Sequence, residues 1–380
     1  MPPFAGDEGP EYTARESAVV SRCTSVGAAR GVSMEFGIFA GFNTRDGTTQ
    51  ADTFDEWLGF AEQADAMGIN CFWLAEFHFR PRTIVSAPLV VASAIASRTK
   101  RINLGIAVQL LPLANPVHLA EEVATLDHIA KGRLVFGVGR SSFVDAYQGY
   151  NVQYEESRPR FFECLEIIRK AWSDQPFTYE GEFYNYRDVN VVPKPYQKPH
   201  PPIRIACESR ESFALMGKFG FPLLIRHQMP VPELRSLIEG YRAERTAAGF
   251  DGPISVTLQA TVYVAESAAQ ARADTEAGLQ RDKEIALEMA RNIGDQEAYE
   301  RLSRRYSFTY DDQLQRPGLG VYPNPYIFGS PEEVAERLQD YQEQLGITGI
   351  SMTLNPGGIR QELVVASMRR LAERVIPRLN

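Results

Sequence analysis

The feature that most constrains this chain is an alternation of short apolar β-type runs with amphipathic helical stretches, which begins at Met34 and continues to the C-terminus. Eight runs read as strands: Phe36–Phe39, Ile69–Leu74, Ile102–Val108, Leu134–Val138, Ile203–Cys207, Leu223–Arg226, Val256–Val264 and Ile347–Leu354. Helical spacing marks Thr53–Met67, Pro88–Ser97, His118–Ala130, Arg160–Ser173, Ser212–Phe219, Pro232–Ala248, Ser267–Ala290 and Gln361–Ile376. In the first of these, Phe54, Trp57, Leu58, Ala61 and Ala64 share a face, with Thr53 or Asp52 as the cap and Gly68 as the stop. Both faces of the strands look apolar, as expected for parallel strands covered by helices. Eight βα units imply an α/β fold of the (β/α)8 TIM-barrel type rather than a doubly wound sheet. Its active site then lies at the C-terminal ends of the strands.

The chain has 380 residues, more than the ~250 of a typical barrel. The surplus falls in three places. Residues 1–33 show no helical or strand period and no signal-peptide pattern, so they read as a disordered tail. Alternatively, Met34 is the natural start. The barrel domain is then 34–380, with a Pro-rich excursion at Tyr184–Pro202 and an aperiodic Tyr-, Arg- and Gly-rich segment at Asn292–Tyr326 after the seventh strand.

A net charge of −8 argues against a nucleic-acid partner. No apolar run reaches the ~18 residues that a membrane span needs. Cys23, Cys71, Cys164 and Cys207 form no C-x-x-C pair, and the five histidines form no H-x-x-H. No metal site is therefore expected, and the cysteines read as free thiols of a reducing cytoplasm.

The strand ends hold the candidate chemistry. Glu76 and His78 follow the second strand and can point into one mouth as an acid/base pair, or form a buried network that shapes the rim. Gly139 and Arg140 end the fourth strand, where an arginine can fork onto a phosphate. Ser209 and Ser212 lead from the fifth strand into a helix start, which is either an anion site or a plain cap. Arg158 offers another cation, and His227 after the sixth strand can line the mouth. His118, His128 and His200 read as surface, packing or loop residues.

In order along the chain stand Met34-Glu-Phe-Gly-Ile-Phe39, Gly68-Ile-Asn-Cys-Phe-Trp-Leu-Ala-Glu-Phe-His-Phe79, Ile102-Asn-Leu-Gly105, Asn115-Pro-Val-His-Leu-Ala-Glu-Glu-Val123, Lys131-Gly-Arg-Leu-Val-Phe-Gly-Val-Gly-Arg140, Ser157-Arg158, Ala206-Cys-Glu-Ser209, Gly329-Ser-Pro-Glu-Glu333 and Gly346-Ile-Thr-Gly-Ile350. Together these segments resemble the bacterial luciferase-like flavin-dependent monooxygenases, most closely the luciferase α-subunit branch. The resemblance implies FMN as FMNH2, delivered by a separate NAD(P)H:flavin reductase, with O2 activated as a flavin hydroperoxide to oxygenate a small organic substrate. It implies a phosphate set of Arg140, Arg158, Ser209 and Ser212, with Glu208 contributing backbone, and a non-proline cis bond at Ala107–Val108 under the flavin ring. It also implies a mobile lid over 292–326 and a homodimer paired through Thr53–Met67 and His118–Ala130.

One position departs from the family. Its Glu-His-His-Phe run reads Glu76-Phe77-His78-Phe79 here, so the family's acid/base histidine is Phe77. This argues against light-producing aldehyde oxidation. It leaves His78, with Glu76, as the catalytic candidates. Phe77 beside Phe39 and Phe143 suggests an apolar or aromatic substrate, with His227 as a further pocket residue. The competing readings are an F420-dependent hydride-transfer enzyme and a non-catalytic flavin-binding barrel.

Overall fold

The computed structural model describes residues 34–379 apart from 81, 228, 291–295, 298 and 301–325. The expected N-terminal tail lies outside the described residues, as does nearly all of the expected lid segment. The elements run β1 (Glu35–Ala40), α1 (Gln50–Ala66), β2 (Cys71–Leu74), α2 (Pro88–Arg98), β3 (Asn103–Leu110), α3 (Pro116–Ile129), β4 (Leu134–Gly139), α4 (Val144–Gly149) and α5 (Ser157–Ala171). They continue β5 (Phe177–Glu180), β6 (Asn185–Val189), β7 (Ile203–Cys207), α6 (Arg210–Phe219), β8 (Leu223–Arg226), α7 (Val231–Ala247), β9 (Val256–Val264) and α8 (Ala268–Ala290). The last are β10 (Tyr326–Gly329), α9 (Pro331–Leu345), β11 (Gly349–Thr353), α10 (Gln361–Arg370) and α11 (Ile376–Leu379).

The eight expected strands close into a parallel barrel in the order β1-β2-β3-β4-β7-β8-β9-β11, with β11 returning to β1. Two features escape the alternation read from sequence. The Pro-rich excursion holds the antiparallel β5–β6 hairpin. β10 adds a ninth parallel strand: β9 pairs with β8 over Val256–Gln259 and with β10 over Thr261–Val264. A four-residue strand is too short to carry its own period. The helix after it starts on Pro331, behind a reciprocal Ser330/Glu333 cap.

α1 starts three residues earlier than its sequence pattern suggested. Its cap is Thr49: the Thr49 hydroxyl accepts from the Asp52 N–H, and the Asp52 carboxylate accepts from the Thr49 N–H. Thr53 is instead a buried helical residue whose hydroxyl donates to the Thr49 carbonyl.

The strands are apolar on their outer faces and mixed on their inner ones. Their outward residues, such as Phe36, Ile38, Phe72, Leu74, Leu104, Ile106, Phe136 and Val138, join the main core under the helices. The alternate residues face inward and are mixed. Cys71, Trp73, Val135 and Leu224 form a second apolar cluster with Phe39, Ala107 and Val108 packed on it, while Gly37, Gly105, Arg204, Thr257, Gln259 and Ser351 are small or polar. Trp73 lies across the barrel axis, because Cβ atoms at Gly37 and Gly105 would come within 2.5 and 2.1 Å of its indole. The Arg204 guanidinium sits 5.3 Å from a Trp73 ring centre. It donates to Glu35 Oε2 at 2.9 Å and to Thr257 Oγ1. Here one tryptophan and a matched charge pair replace the layers of branched residues that usually fill such a barrel. The space above the indole is left for a cavity.

Candidate active site at the C-terminal ends of the strands

A cavity of about 320 Å³ opens at the C-terminal end of the barrel. Its wall on β3 is the Ala107–Val108 peptide, which is cis. The pairing of β3 with β4 slips here, between Ile106 and Gln109. Gly139 on β4 faces it, and a Cβ there would stand 2.5 Å from Val108 Cγ2. A side chain at 139 would have to displace that of Val108.

Glu76 lines the cavity and His78 does not. The Glu76 carboxylate accepts from His78 Nε2 at 2.7 Å, from Gln109 Nε2 at 2.8 Å and from the Leu110 N–H at 2.7 Å. With Nε2–H committed to Glu76, His78 Nδ1 accepts from the Tyr150 hydroxyl at 3.2 Å. Burial, with the Glu76 charge nearby, pushes the Tyr150 hydroxyl pKa up, so it stays protonated. The sequence pair is thus a chain of three groups from the half-exposed Tyr150 through the buried His78 to the cavity carboxylate. Tyr150 lies in a different segment and was not legible as a partner.

The cation and serine candidates come together. Arg140, Arg158, Glu208, Ser209 and Ser212 arrive on three separated segments and all line this one cavity. Arg140 Nη1 donates to Ser157 Oγ at 3.1 Å, and the Tyr147 hydroxyl donates to the Arg140 carbonyl. Ser209 caps α6: its backbone N–H donates to Ser212 Oγ at 3.1 Å, and the Ser212 N–H donates back to Ser209 Oγ at 3.3 Å. Two acids hold the cations: Glu211, which sequence reading missed, accepts from Arg158 Nη1 at 2.7 Å, and the Glu208 side chain, expected only to contribute backbone, stands 3.7 Å from Arg226. The cavity lining therefore holds three arginines and, with Glu76, three glutamates, and Arg140 alone of these arginines meets a neutral serine rather than a carboxylate.

Phe39, Phe77 and Phe143 form apolar walls, with the Arg80 guanidinium 4.8 Å over the Phe143 ring. His227 is not a pocket residue. It is 1% exposed, with its ring edge-on to Tyr341 of α9, 5.0 Å away. Leu224, Ile225 and Arg226 of β8 line the cavity, and the chain leaves the strand at the next residue, which packs against α9 instead. Cys207 also lines the cavity, but burial pushes its thiol up to about 12 and holds the reactive thiolate off. Burial likewise raises the Cys71 and Cys164 thiols. Among the described residues no cluster of histidine, cysteine and carboxylate side chains is placed to hold a metal, and no helix is long and apolar enough to cross a membrane.

Residues 34–348 match the family of luciferase-like monooxygenases. A stretch of 179 residues, 47% of this chain, is 34% identical to protein y4wF of Sinorhizobium fredii, and the chain spans about half (52%) of that relative's length. Limonene 1,2-monooxygenase of Rhodococcus erythropolis is 25% identical over 85% of this chain and 81% of its own. The oxygenase component of the flavin-dependent trigonelline monooxygenase of Acinetobacter baylyi is 24% identical over 90% and 95%. Among solved structures, monooxygenase RslO1 of Streptomyces bottropensis superposes with a TM-score of 0.77, at 26% identity over 91% of this chain and 100% of its own. The oxygenating constituent of 3,6-diketocamphane monooxygenase of Pseudomonas putida, in complex with FMN, superposes at 0.76, with 21% identity over 91% and 98%. An F420-dependent secondary alcohol dehydrogenase shares the fold at 0.70 and 16% identity over 92% and 99%. The match begins at β1 and runs to the residue before β11, through every strand that builds the cavity except the last, and the chain belongs to the luciferase-like monooxygenase family of enzymes.

Proposed function

We propose that this chain is the oxygenating component of a two-component monooxygenase, which takes FMNH2 from a separate NAD(P)H:flavin reductase and oxygenates a small organic molecule with O2. The observation that carries this reading is the meeting of Arg140, Arg158, Ser209 and Ser212 at the mouth of a cavity whose deeper walls are Phe39, Phe77 and Val108. A flavin mononucleotide has a matching polarity: a phosphate anion for the arginines, and a flat ring system whose faces and dimethylbenzene end are apolar while its pyrimidine edge carries hydrogen-bonding groups. The residues fit the group. Arg140 meets a neutral serine rather than a carboxylate, and the N-terminus of α6 adds positive partial charge. The close approach of Gly139 to Val108 leaves a smooth wall at Ala107–Val108. The oxygenase component among the relatives supports a separate reductase.

When bound, the reduced flavin supplies the electrons that activate O2. The chain's own work is positional and protic. Arg140 and Arg158 hold the phosphate, with Ser209, Ser212 and the Glu208 backbone beside them. Phe39, Phe77 and Phe143 exclude water, which protects reactive species from hydrolysis. Glu76 is the carboxylate at the inner end of the Tyr150–His78–Glu76 chain, lining the cavity where the reduced flavin would be held. His78 acts through it, orienting the carboxylate. When Nε2 gives its proton to Glu76, Nδ1 takes one from the Tyr150 hydroxyl, which the half-exposed tyrosine regains from solvent and so ends protonated. The homodimer through α1 and α3 belongs to the same reading, and sedimentation velocity checks it.

Anaerobic titration with FMNH2, followed by mixing with air, tests the proposal. Tight FMNH2 binding with reoxidation much slower than that of free flavin supports it. Reoxidation at the free rate leaves only a flavin-binding barrel. F420 is titrated in parallel, since the fold also carries F420 chemistry in a solved neighbour. Tight binding of F420 but not FMNH2 would move the chain to hydride transfer.

A further inference from the structure

The floor of the cavity is polar. Ser351 on β11 and Gln259 on β9 are register partners on neighbouring strands, and both line the cavity with Thr257. Ser351 is 3% exposed, and its hydroxyl has no hydrogen-bond partner among the described residues. Buried hydroxyls are nearly always paired, so an unpaired one that faces a cavity asks for a ligand atom. Gln259 Nε2 donates to Thr353 Oγ1 at 2.9 Å, which uses one of its two N–H groups. On the other side of Ser351 the register partner is Gly37. A Cβ there would lie 2.5 Å from Trp73 Nε1, so the indole edge and not a side chain of β1 closes that flank.

The charge at this depth is matched. Arg204 is held by Glu35 at 2.9 Å and donates to Thr257 Oγ1. The floor therefore offers hydroxyl and amide donors without net positive charge, beneath the apolar Phe39 and Leu224. A carboxylate would find no counter-charge there. A hydrocarbon would leave the Ser351 hydroxyl unpaired.

We propose that Ser351, aided by Gln259, is a substrate-recognition subsite for a neutral hydrogen-bond-accepting oxygen, a carbonyl or hydroxyl carried on an apolar body. The inference rests on the reading that this cavity takes an organic substrate, and it narrows the apolar or aromatic class to amphipathic ketones and alcohols. It makes Ser351 a specificity-determining residue.

The test uses three probes of one skeleton: acetophenone, 1-phenylethanol and ethylbenzene. Their affinities for the full chain are measured by equilibrium dialysis, with and without saturating FMN. FMN affinity is measured separately. The two oxygenated probes are expected to bind at least about tenfold more tightly than ethylbenzene. Ser351→Ala should cut that preference to about twofold or less, with ethylbenzene and FMN affinities unchanged. Its melting temperature should not fall, because removing an unpartnered buried hydroxyl is neutral or stabilising. Gln259→Met should reduce the preference in part. Equal binding of ketone and hydrocarbon, no binding of either oxygenated probe, or a preference that survives Ser351→Ala overturns the proposal. Loss of FMN affinity in Ser351→Ala with the ketone preference intact overturns it too, since the hydroxyl then serves the cofactor. Failure of FMN to bind at all, with the probe preference present, would instead strike the flavin assignment and leave this subsite standing.

Discussion

Removing Glu211 should strengthen FMN binding, although Glu211 sits beside the groups assigned to the phosphate. Its carboxylate is 2.7 Å from Arg158, with the two side chains 70% and 42% exposed. An ion pair this exposed contributes only about 0.2–1 kcal/mol. Phosphate must displace Glu211 to use Arg158, so Glu211→Gln should lower the Kd about 1.4- to 5-fold. Arg158→Ala removes a charge-assisted contact of about 1.5–3 kcal/mol. The Glu211 interaction already offsets part of that, which leaves a net loss of about 0.5–2.8 kcal/mol, or roughly 2- to 100-fold in Kd. In the double variant the benefit of Glu211→Gln should vanish, because the competitor has lost its target. FMN fluorescence titrations of the four proteins at low and high salt make the cycle, and the Glu211→Gln gain should shrink with salt. If Glu211→Gln weakens FMN binding with Arg158 present, or Arg158→Ala leaves the Kd unchanged, the competition argument and the placement of the phosphate at Arg158 both fail.

Three further outcomes follow from named contacts. His78→Ala should leave FMNH2 affinity within about twofold while speeding reoxidation several-fold. Tyr150→Phe should shift the pH profile of reoxidation without changing affinity, and unchanged kinetics in both variants would remove the chain to Glu76 from the mechanism. Gly105→Ala puts a Cβ 2.1 Å from Trp73, in a barrel interior with backbone on either side, so it should cost about 1–3 kcal/mol in chemical denaturation and redshift Trp73 fluorescence. The third outcome concerns Asp65, whose carboxylate accepts from the Lys100, Arg101 and Ile102 N–H groups and ties the end of α1 to the turn before β3. Burial raises its pKa, but those bonds together outweigh burial and hold it below the usual aspartate value. A depressed folded-state pKa stabilises above the unfolded value and loses that stabilisation as pH falls through the folded one. Asp65→Asn should therefore melt lower than the wild type near neutral pH, with the gap closing below the ordinary aspartate range. A pH-independent gap would refute the assignment.

The site was partly legible in the sequence, and the pattern of hits has a physical basis. Arg140, Ser209 and Ser212 stand where a strand ends or a helix begins, positions that local spacing marks directly. Glu76 was found for the same reason. Its contact with His78 was one of the two readings offered, the buried network at the rim. Which of the two residues faces the cavity was not legible, because that depends on the path of the loop, and here the histidine turns behind the carboxylate toward Tyr150. His227 was misplaced because β8 ends at Arg226: the last three strand residues line the cavity, and the next one packs against Tyr341 of α9. Glu211 was passed over because an acid in the first turn of a helix reads as dipole compensation until the structure puts Arg158 against it.

The chain's periodicity by itself determined the barrel: eight β-type runs separated by amphipathic helices have few ways to bury their apolar faces, and closure is the one that leaves no sheet edge open. It also determined which end holds the site. It could not tell the two faces of each strand apart, because Gly37, Gly105, Ser351 and Arg204 are isolated exceptions within apolar runs, and nothing local says that they converge. Only the tertiary structure brings eight strands' alternate residues onto one axis. There Trp73 fills the gap that two glycines leave, Arg204 is neutralised by Glu35, and Ser351 is left facing open space. Chemistry that depends on residues hundreds of positions apart lies in distances that no local pattern encodes.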